Sequence, residues 1–408
     1  MPGHDRVVVV GASLAGLRAC EGLRAGGFEE AITLVGAEHH LPYDRPPLSK
    51  KVLQGEWELD RIALRSPEAL GELALELRLG VPAAGLELSA GGRGGTVTLA
   101  DGTSITADAV VIATGSRPRT LANQPTGAHV LRSIEDSMAL RVEFAAGGRQ
   151  VCLVGAGFIG LEAAAAARMA GNEVTVLEAL AAPMLRAFGP KVGTAMSAVH
   201  EDEGVDVRCG VMVEAFADDG VLLTGDELVP ADVILVGIGA EPVVDWLAGS
   251  GLIIGDGVVV DEGLRAAPGV FAAGDVARWP NAQFAGEEMR VEHWTNAAEQ
   301  GAHAAANVLA ESVGKPLTPF RSVPFVWSDQ YRHRIQYVGH ASAHDHVEIP
   351  VGSPADRRFV ALYERSGRLR AAAGLNLPRL VMPYRALIAN GASFDEALAL
   401  AASQASLS

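Results

Sequence analysis

Two short glycine-rich runs in this 408-residue sequence have the spacing needed to hold a pyrophosphate. Gly11-Ala12-Ser13-Leu14-Ala15-Gly16 follows the apolar run Val7-Val8-Val9-Val10, and Gly155-Ala156-Gly157-Phe158-Ile159-Gly160 follows Val151-Cys152-Leu153-Val154. In such a turn the first glycine makes the bend. The second small residue lets the backbone approach the phosphates, and the last lets the helix pack on the strand. The helix that follows aims free N–H groups and a partial positive charge at the anion. Ser13 stands where a second glycine is usual, so the first run is the looser match. Each run needs a carboxylate beyond the next strand to hold ribose hydroxyls. Glu38, with Ala37 beside it, and Glu178 occupy those places. A carboxylate at 178 accepts from a ribose 2′-OH and repels a 2′-phosphate, which favours NADH over NADPH. One glycine run alone is weak evidence, but two in the same context point to two dinucleotides on one chain.

The elements that must position these turns are legible as short apolar runs. Residues 6–11, 31–36, 108–113, 151–154, 173–177 and 232–237 are rich in Val, Ile and Leu, and Ala/Leu-rich stretches at 14–25 and 158–170 follow the glycines. Strands alternating with helices predict a parallel α/β sheet. Residues 6–38 and 150–178 repeat the same order of strand, turn, helix, strand and acid. Residues 96–106, turning at Asp101-Gly102, read as a hairpin, and 211–230 share that texture. Beyond 320 come strand-like runs at 325–327, 335–338, 347–349 and 359–363, then helices near 378–390 and 393–402. The predicted fold class is α/β: two Rossmann-like dinucleotide-binding domains plus a C-terminal α+β domain.

Composition agrees with a globular chain of two to four domains: 49% of residues are hydrophobic and 20% charged. The net charge of −16 argues against nucleic acid or an anionic membrane as partner. The run Val7–Val10 superficially resembles a secretory leader, but Asp5 before it and Gly11 after it make a buried strand the better reading. No apolar stretch approaches ~20 residues, so no transmembrane helix is expected. Cys20, Cys152 and Cys209 form no paired motif and are expected to be small buried hydrophobes in a reducing, cytoplasmic setting. No metal site is expected.

Further motifs carry a resemblance. Val111-Ile112-Ala113-Thr114-Gly115 and Val270-Phe271-Ala272-Ala273-Gly274-Asp275 resemble two secondary motifs of glutathione-reductase-like flavoproteins. Pro42-Tyr43-Asp44-Arg45-Pro46-Pro47-Leu48-Ser49-Lys50 and Phe325-Val326-Trp327-Ser328-Asp329-Gln330 resemble, within that superfamily, the NADH-dependent ferredoxin reductases of bacterial oxygenase systems, the putidaredoxin reductase and biphenyl dioxygenase reductase type. The resemblance covers the whole chain. It implies an FAD-binding domain at 1–115 and 242–320, an NADH-binding domain at 116–241 and a C-terminal domain at 321–408.

The resemblance also implies roles. FAD would be held by Gly11, Ser13, Leu14, Ala15, Gly16, Ala37, Glu38, Arg45, Lys50, Ala84, Ala113, Thr114, Gly115, Arg132, Gly274, Asp275, Glu292, His293, Trp294 and Trp327. NADH would be held by Gly155, Gly157, Phe158, Ile159, Gly160, Glu178, Arg186, Gly237, Ile238 and Gly239. Lys50, Glu162 and Trp327 are the expected catalytic residues: a cation for the reduced flavin, its carboxylate partner by the nicotinamide, and an aromatic face on the flavin ring. Read blandly, the same residues are surface charges in a Pro-rich loop, a helix-surface Glu and a core Trp.

The implied activity is transfer of a hydride from NADH to FAD and of single electrons to a 2Fe-2S ferredoxin. That ferredoxin would feed a haem monooxygenase or a ring-hydroxylating dioxygenase. A disulfide reductase or NADH peroxidase would need a redox cysteine after Glu38, where this chain has Lys50 instead. A rubredoxin reductase, a flavoprotein oxidase and an apoptosis-inducing-factor-like binding protein are the other readings. Arg332, His333, Arg334, Arg357 and Arg358 are candidates for docking ferredoxin, a solvated charged face being the other reading. The chain is expected to be a monomer or weak homodimer.

Overall fold

A computed structural model describes residues 4–404. They divide into two compact units. One runs to Asp44 and takes in Asp60–Arg117 and Glu241–Ser322; the other comprises Arg45–Leu59, Pro118–Ala240 and the chain from Val323.

The first unit is built on a six-stranded sheet in the order Arg265–Ala267, Val270–Ala272, Ala109–Ile112, Arg6–Val10, Ala31–Gly36, Leu75–Leu79. All neighbours are parallel except the first pair. Val7 to Val10 are buried on both faces, which is why the central strand is an unbroken valine run rather than an alternating one. Helices Leu14–Ala25 and Trp294–Ser312 pack closely. Small residues permit this: a Cβ at Gly301 would lie 2.2 Å from the carbonyl oxygen of Ala15. The hairpin region forms a three-stranded antiparallel sheet, Ala83–Leu88, Gly95–Leu99 and Ser104–Ala107.

The second unit holds a four-stranded parallel sheet in the order Asp206–Cys209, Glu173–Glu178, Gln150–Val154, Val233–Val236. It also holds a five-stranded antiparallel sheet: Phe325–Gln330, His333–Gly339, Arg368–Leu375, Arg358–Arg365, His346–Ser353. Alternate residues of the latter (Ile335, Tyr337, Phe359, Ala361, Tyr363) join one hydrophobic core with helices Phe158–Met169 and Leu185–Glu201. The opposite face receives helix Pro378–Ala389, where a Cβ at Gly374 would sit 2.2 Å from Val381. Gly189 (φ 69°) and Pro190 interrupt helix Leu185–Glu201, and the hydroxyl of Tyr363 donates to the carbonyl of Phe188 beside the break at 2.9 Å.

The expected strands and helices form at nearly the expected places. Helices Ile134–Ala145, Leu185–Glu201 and Trp294–Ser312 and strand Arg368–Leu375 had no counterpart in the sequence reading. Cys20 and Cys152 are buried, but Cys209 is a correction: it ends an edge strand of its sheet and is only half-buried. Among the described residues no helix is long and apolar enough to cross a membrane.

His200, fully buried, shares hydrogen bonds with Gln330 and Tyr331. Burial, only partly offset by the Gln330 bond, lowers its pKa to about 4. The unfolded chain therefore takes up a proton near the ordinary histidine value while the folded chain resists. Stability is fully present above pH ~6.5 and falls as pH drops toward ~4, by about 3 kcal/mol for this group. Urea unfolding at pH 7.5 and pH 4.5 should show that decline flattened in His200→Gln. Tyr363→Phe strands the Phe188 carbonyl and should cost about 1–2 kcal/mol at unchanged m-value in the same assay.

Candidate functional site

In the first unit the chain leaves strand Arg6–Val10 through Gly11 at φ +125°, where a Cβ would lie 2.0 Å from the Ala113 carbonyl oxygen. A Cβ at Gly16 would lie 1.9 Å from the oxygen of Gly11. Only glycine fits either place. Ser13 is the N-cap of helix Leu14–Ala25 but makes no side-chain cap bond, and the first turn holds no acid. Those N–H groups are thus left for an external anion. Ala15 lies within this first turn, and Glu38 follows strand Ala31–Gly36, accepting from the Tyr43 hydroxyl at 2.5 Å, with Ala37 exposed beside it.

At the strand ends of the same unit, Ala113 N–H donates to Val10, Thr114 Oγ1 donates to the carbonyl of Val243, and Gly115 turns at φ +69°. Gly274 (φ +82°) donates its N–H to Gln300 Oε1 at 2.8 Å, and the buried carboxylate of Asp275 accepts from Ser116 Oγ at 2.9 Å. Arg290 bridges the Asp275 carbonyl and Glu292. His293 is the N-cap of helix Trp294–Ser312, and Trp294 Nε1 donates to Asp44 Oδ1 at 2.6 Å. Gln300 Nε2 and Asn296 Oδ1 are buried without a partner among the described residues, so this helix presents polar atoms for which the chain supplies no complement. These features fit a dinucleotide. Ala84 lies at a register shift in strand Ala83–Leu88 with its side chain exposed, so any contact there would involve its backbone.

The second unit repeats the device. Gly155 turns at φ +103°, its virtual Cβ 2.3 Å from the oxygen of Gly237, and Gly160 approaches the oxygen of Gly155 as closely. Gly157 caps helix Phe158–Met169 with no side chain, and a Cβ there would meet nothing within 4 Å. Phe158 and Ile159 open the helix without an acid in its first turn. Glu178 accepts from the N–H groups of Ala156 and Leu180, both at 2.8 Å, so it braces the turn. Gly237 N–H donates to Val154, Ile238 packs on the adjoining core, and Gly239 turns at φ +108°. Arg186 is exposed near the start of helix Leu185–Glu201.

The third cluster also belongs to the second unit. The segment Pro46–Ser49 is a short 3-10 helix with Lys50 at its end, anchored by Ser137 Oγ donating to the Leu48 carbonyl at 2.7 Å. Lys50 Nζ lies 2.7 Å from Glu162 Oε2, and Glu162 is only 4% exposed. The same oxygen accepts from Ser49, and Oε1 accepts from Ser328 at 2.5 Å. Arg45 donates to the carbonyl of Arg132 at 2.8 Å. Trp327 stacks on Phe325, ring centroids 5.8 Å apart. Residues expected on FAD thus fall in both compact units, with Arg45, Lys50, Arg132 and Trp327 in the second.

Sequence reasoning missed Ser49, Ser328 and Gln330, although the period-two spacing of Ser328 and Gln330 on one strand is a usable signal. His200, far away in the chain, carried none. The expected docking patch needs correction. His333 is buried and bonded to Asn376, and Arg357 is held by Asp202, leaving Arg332, Arg334 and Arg358 exposed. Cys20 and Cys152 are pushed up to about 12 by burial, and burial raises Cys209 too, so none is poised as a thiolate.

Two glycine turns, each opening a helix without an acid in its first turn and each followed by a carboxylate at or just past the end of the next strand, mark an α/β protein that takes two dinucleotides. Residues 5–301 match the family model for pyridine nucleotide-disulphide oxidoreductases and residues 325–407 that for the reductase C-terminal domain. The chain belongs to the pyridine nucleotide-disulphide oxidoreductase family, whose cofactors are FAD and NAD(H). It is 37% identical over 400 residues to the ferredoxin–NAD(+) reductase component of the anthranilate 1,2-dioxygenase system of Burkholderia cepacia, covering 96% of each chain. It is 34% identical over 393 residues to putidaredoxin reductase of Pseudomonas putida, covering 93% of this chain and 90% of that one. The crystal structure of the covalent putidaredoxin reductase–putidaredoxin complex matches with TM-score 0.89 at 30% identity, over 100% of both chains.

Glu178→Ala removes a brace of the turn and the carboxylate expected to hold a ribose hydroxyl. KM for NADH should rise roughly 10- to 100-fold, the range for a hydrogen bond to a charged group. Bound FAD, read from the visible spectrum, should stay unchanged; an unaltered KM would remove Glu178 from the site.

Proposed function

We propose that this protein is an NADH-dependent, FAD-containing ferredoxin reductase that supplies single electrons to a 2Fe-2S ferredoxin serving a bacterial oxygenase. The observation that carries the reading is the buried Lys50–Glu162 pair, which occupies the stretch where a thiol-using enzyme needs its cysteine. The relatives' own names, a dioxygenase-system ferredoxin–NAD(+) reductase and putidaredoxin reductase, support the choice of partner. We assign FAD binding to 1–115 and 242–320, NADH binding to 116–241 and a C-terminal α+β domain to 321–408, whose sheet shares a core with helices of 116–241. The free, unpaired cysteines favour a cytoplasmic setting.

Bound FAD supplies a centre that accepts two electrons as a hydride and releases them one at a time. The chain's own residues do the rest. The Gly11–Gly16 and Gly155–Gly160 turns bind pyrophosphate with backbone N–H groups. Glu38 and Glu178 hold ribose hydroxyls, and the charge of Glu178 rejects a 2′-phosphate. Asp275 offers a buried carboxylate at a strand end. Lys50 would supply a cation to the flavin, and Glu162 holds that cation in a low-dielectric site where its charge acts strongly. Trp327 presents an aromatic face.

Steady-state NADH oxidation with ferricyanide, then with 2Fe-2S ferredoxins and cytochrome c as final acceptor, tests this. NADH should be preferred over NADPH in kcat/KM by roughly 10- to 100-fold. Cytochrome c should be reduced only when ferredoxin is present. Equal reduction without ferredoxin would overturn the partner assignment, transfer to rubredoxin alone would replace it, and a protein that takes up no FAD would overturn the reading at its root.

A further inference from the structure

Glu162 is the end of a longer buried structure. Ser328 has a single hydroxyl proton, and at 2.5 Å from Glu162 Oε1 that proton is committed to the carboxylate. Ser328 Oγ can then only accept, and it accepts from Gln330 Nε2 at 3.1 Å. With the amide so oriented, Gln330 Oε1 faces His200 Nε2 at 2.9 Å, and that nitrogen must carry the imidazole proton. His200 Nδ1 is left bare, and the Tyr331 hydroxyl lies 3.1 Å from it as donor.

Ser328, Gln330 and His200 are fully buried, so water cannot replace the bonds among them or that to Glu162, while Tyr331 is half-buried. The chain draws on strand Phe325–Gln330, the turn residue Tyr331 (φ 52°) and helix Leu185–Glu201. Burial keeps both ends in the required form: it holds His200 neutral at physiological pH and pushes the Tyr331 hydroxyl upward, so that it remains a donor.

We propose that Gln330 and His200 are positioning residues for the Lys50–Glu162 pair, acting through Ser328, whose donated proton fixes Glu162 as acceptor toward Lys50. This rests on the reading that Glu162 serves the nicotinamide end of NADH. Every bond in the chain Tyr331→His200→Gln330→Ser328→Glu162 points one way, and the charge of Glu162 sets that direction. The neutral amide supplies a donor toward Ser328 and an acceptor toward His200, which an ionised carboxylate cannot do. Gln330→Glu keeps the shape but supplies a second acceptor, which competes with Glu162 for the Ser328 proton.

The test compares Gln330→Glu with Glu162→Gln in the FAD-loaded enzyme. Both should lower kcat/KM for NADH by about tenfold or more, the scale of one hydrogen bond to a charged group. The dissociation constant of ADP-ribose, which lacks the nicotinamide, should stay within about twofold, because adenosine-side contacts are untouched. If Glu162→Gln lowers NADH turnover and Gln330→Glu does not, the positioning role is wrong. If Glu162→Gln itself has no effect, the reading of Glu162 fails and takes the inference with it. Should Gln330→Glu not fold, the unaltered protein still decides. Imidazole nitrogen NMR shifts of His200 at pH 7 should report the neutral Nε2–H tautomer, whereas an Nδ1–H tautomer or an imidazolium would run the chain the other way and overturn the proposal.

Discussion

A carboxylate at 4% exposure is the constraint around which the second unit is arranged. An ionised group removed from water needs a cation and hydrogen bonds to its remaining lone pairs, or its burial costs several kcal/mol. Glu162 obtains these from two separate stretches of chain: Lys50 and Ser49 from a Pro-rich segment, and Ser328 from the antiparallel sheet. Its own helix begins at the second glycine turn. The ion pair and these hydrogen bonds therefore link the loop at 46–50, the sheet that starts at Phe325 and the helix after the second glycine turn. Moving any of them would strand a buried charge.

The two glycine turns solve a different problem in the same way in each unit. A phosphate can be held by a helix start only if the chain keeps its own acids and caps away from it. Neither helix Leu14–Ala25 nor helix Phe158–Met169 has a side-chain cap or an acid in its first turn. Elsewhere the chain does cap: Ser133 and Asp136 make a full capping box on helix Ile134–Ala145. Helices Leu185–Glu201, Trp294–Ser312 and Pro378–Ala389 also start without a side-chain cap or an acid, so what sets the first two apart is the glycine turn that leads into each of them.

Thiol chemistry is closed off by the same packing that builds the sheets. Cys20 lies in the helix after the first turn and Cys152 in the strand before the second, both without solvent contact. A family named for disulphide oxidoreduction here carries, in the loop expected to hold the thiol, a lysine paired with the carboxylate of Glu162 on helix Phe158–Met169. A fixed charge can stabilise developing negative charge without any covalent step, which suits passage of electrons rather than exchange of disulfides.

The sequence by itself determined what depends on neighbours in the chain. The valine run at 7–10, the two glycine turns, Glu38 and Glu178, and the hairpin at Asp101-Gly102 are local patterns, because strand burial, positive φ and helix starts are set within a few residues. The period of two in Trp327-Ser328-Asp329-Gln330 was equally visible, yet it could not say what the Ser328 face would meet. That depended on tertiary structure. Only the folded chain brings His200 to Gln330 across 130 residues and Ser328 to Glu162 across 166. It also spends Arg357 on Asp202 and leaves Cys209 half-exposed at a sheet edge. A hydrogen bond between distant segments leaves no periodic trace, since each partner is chosen by where the backbone places it in space and not by its neighbours in sequence.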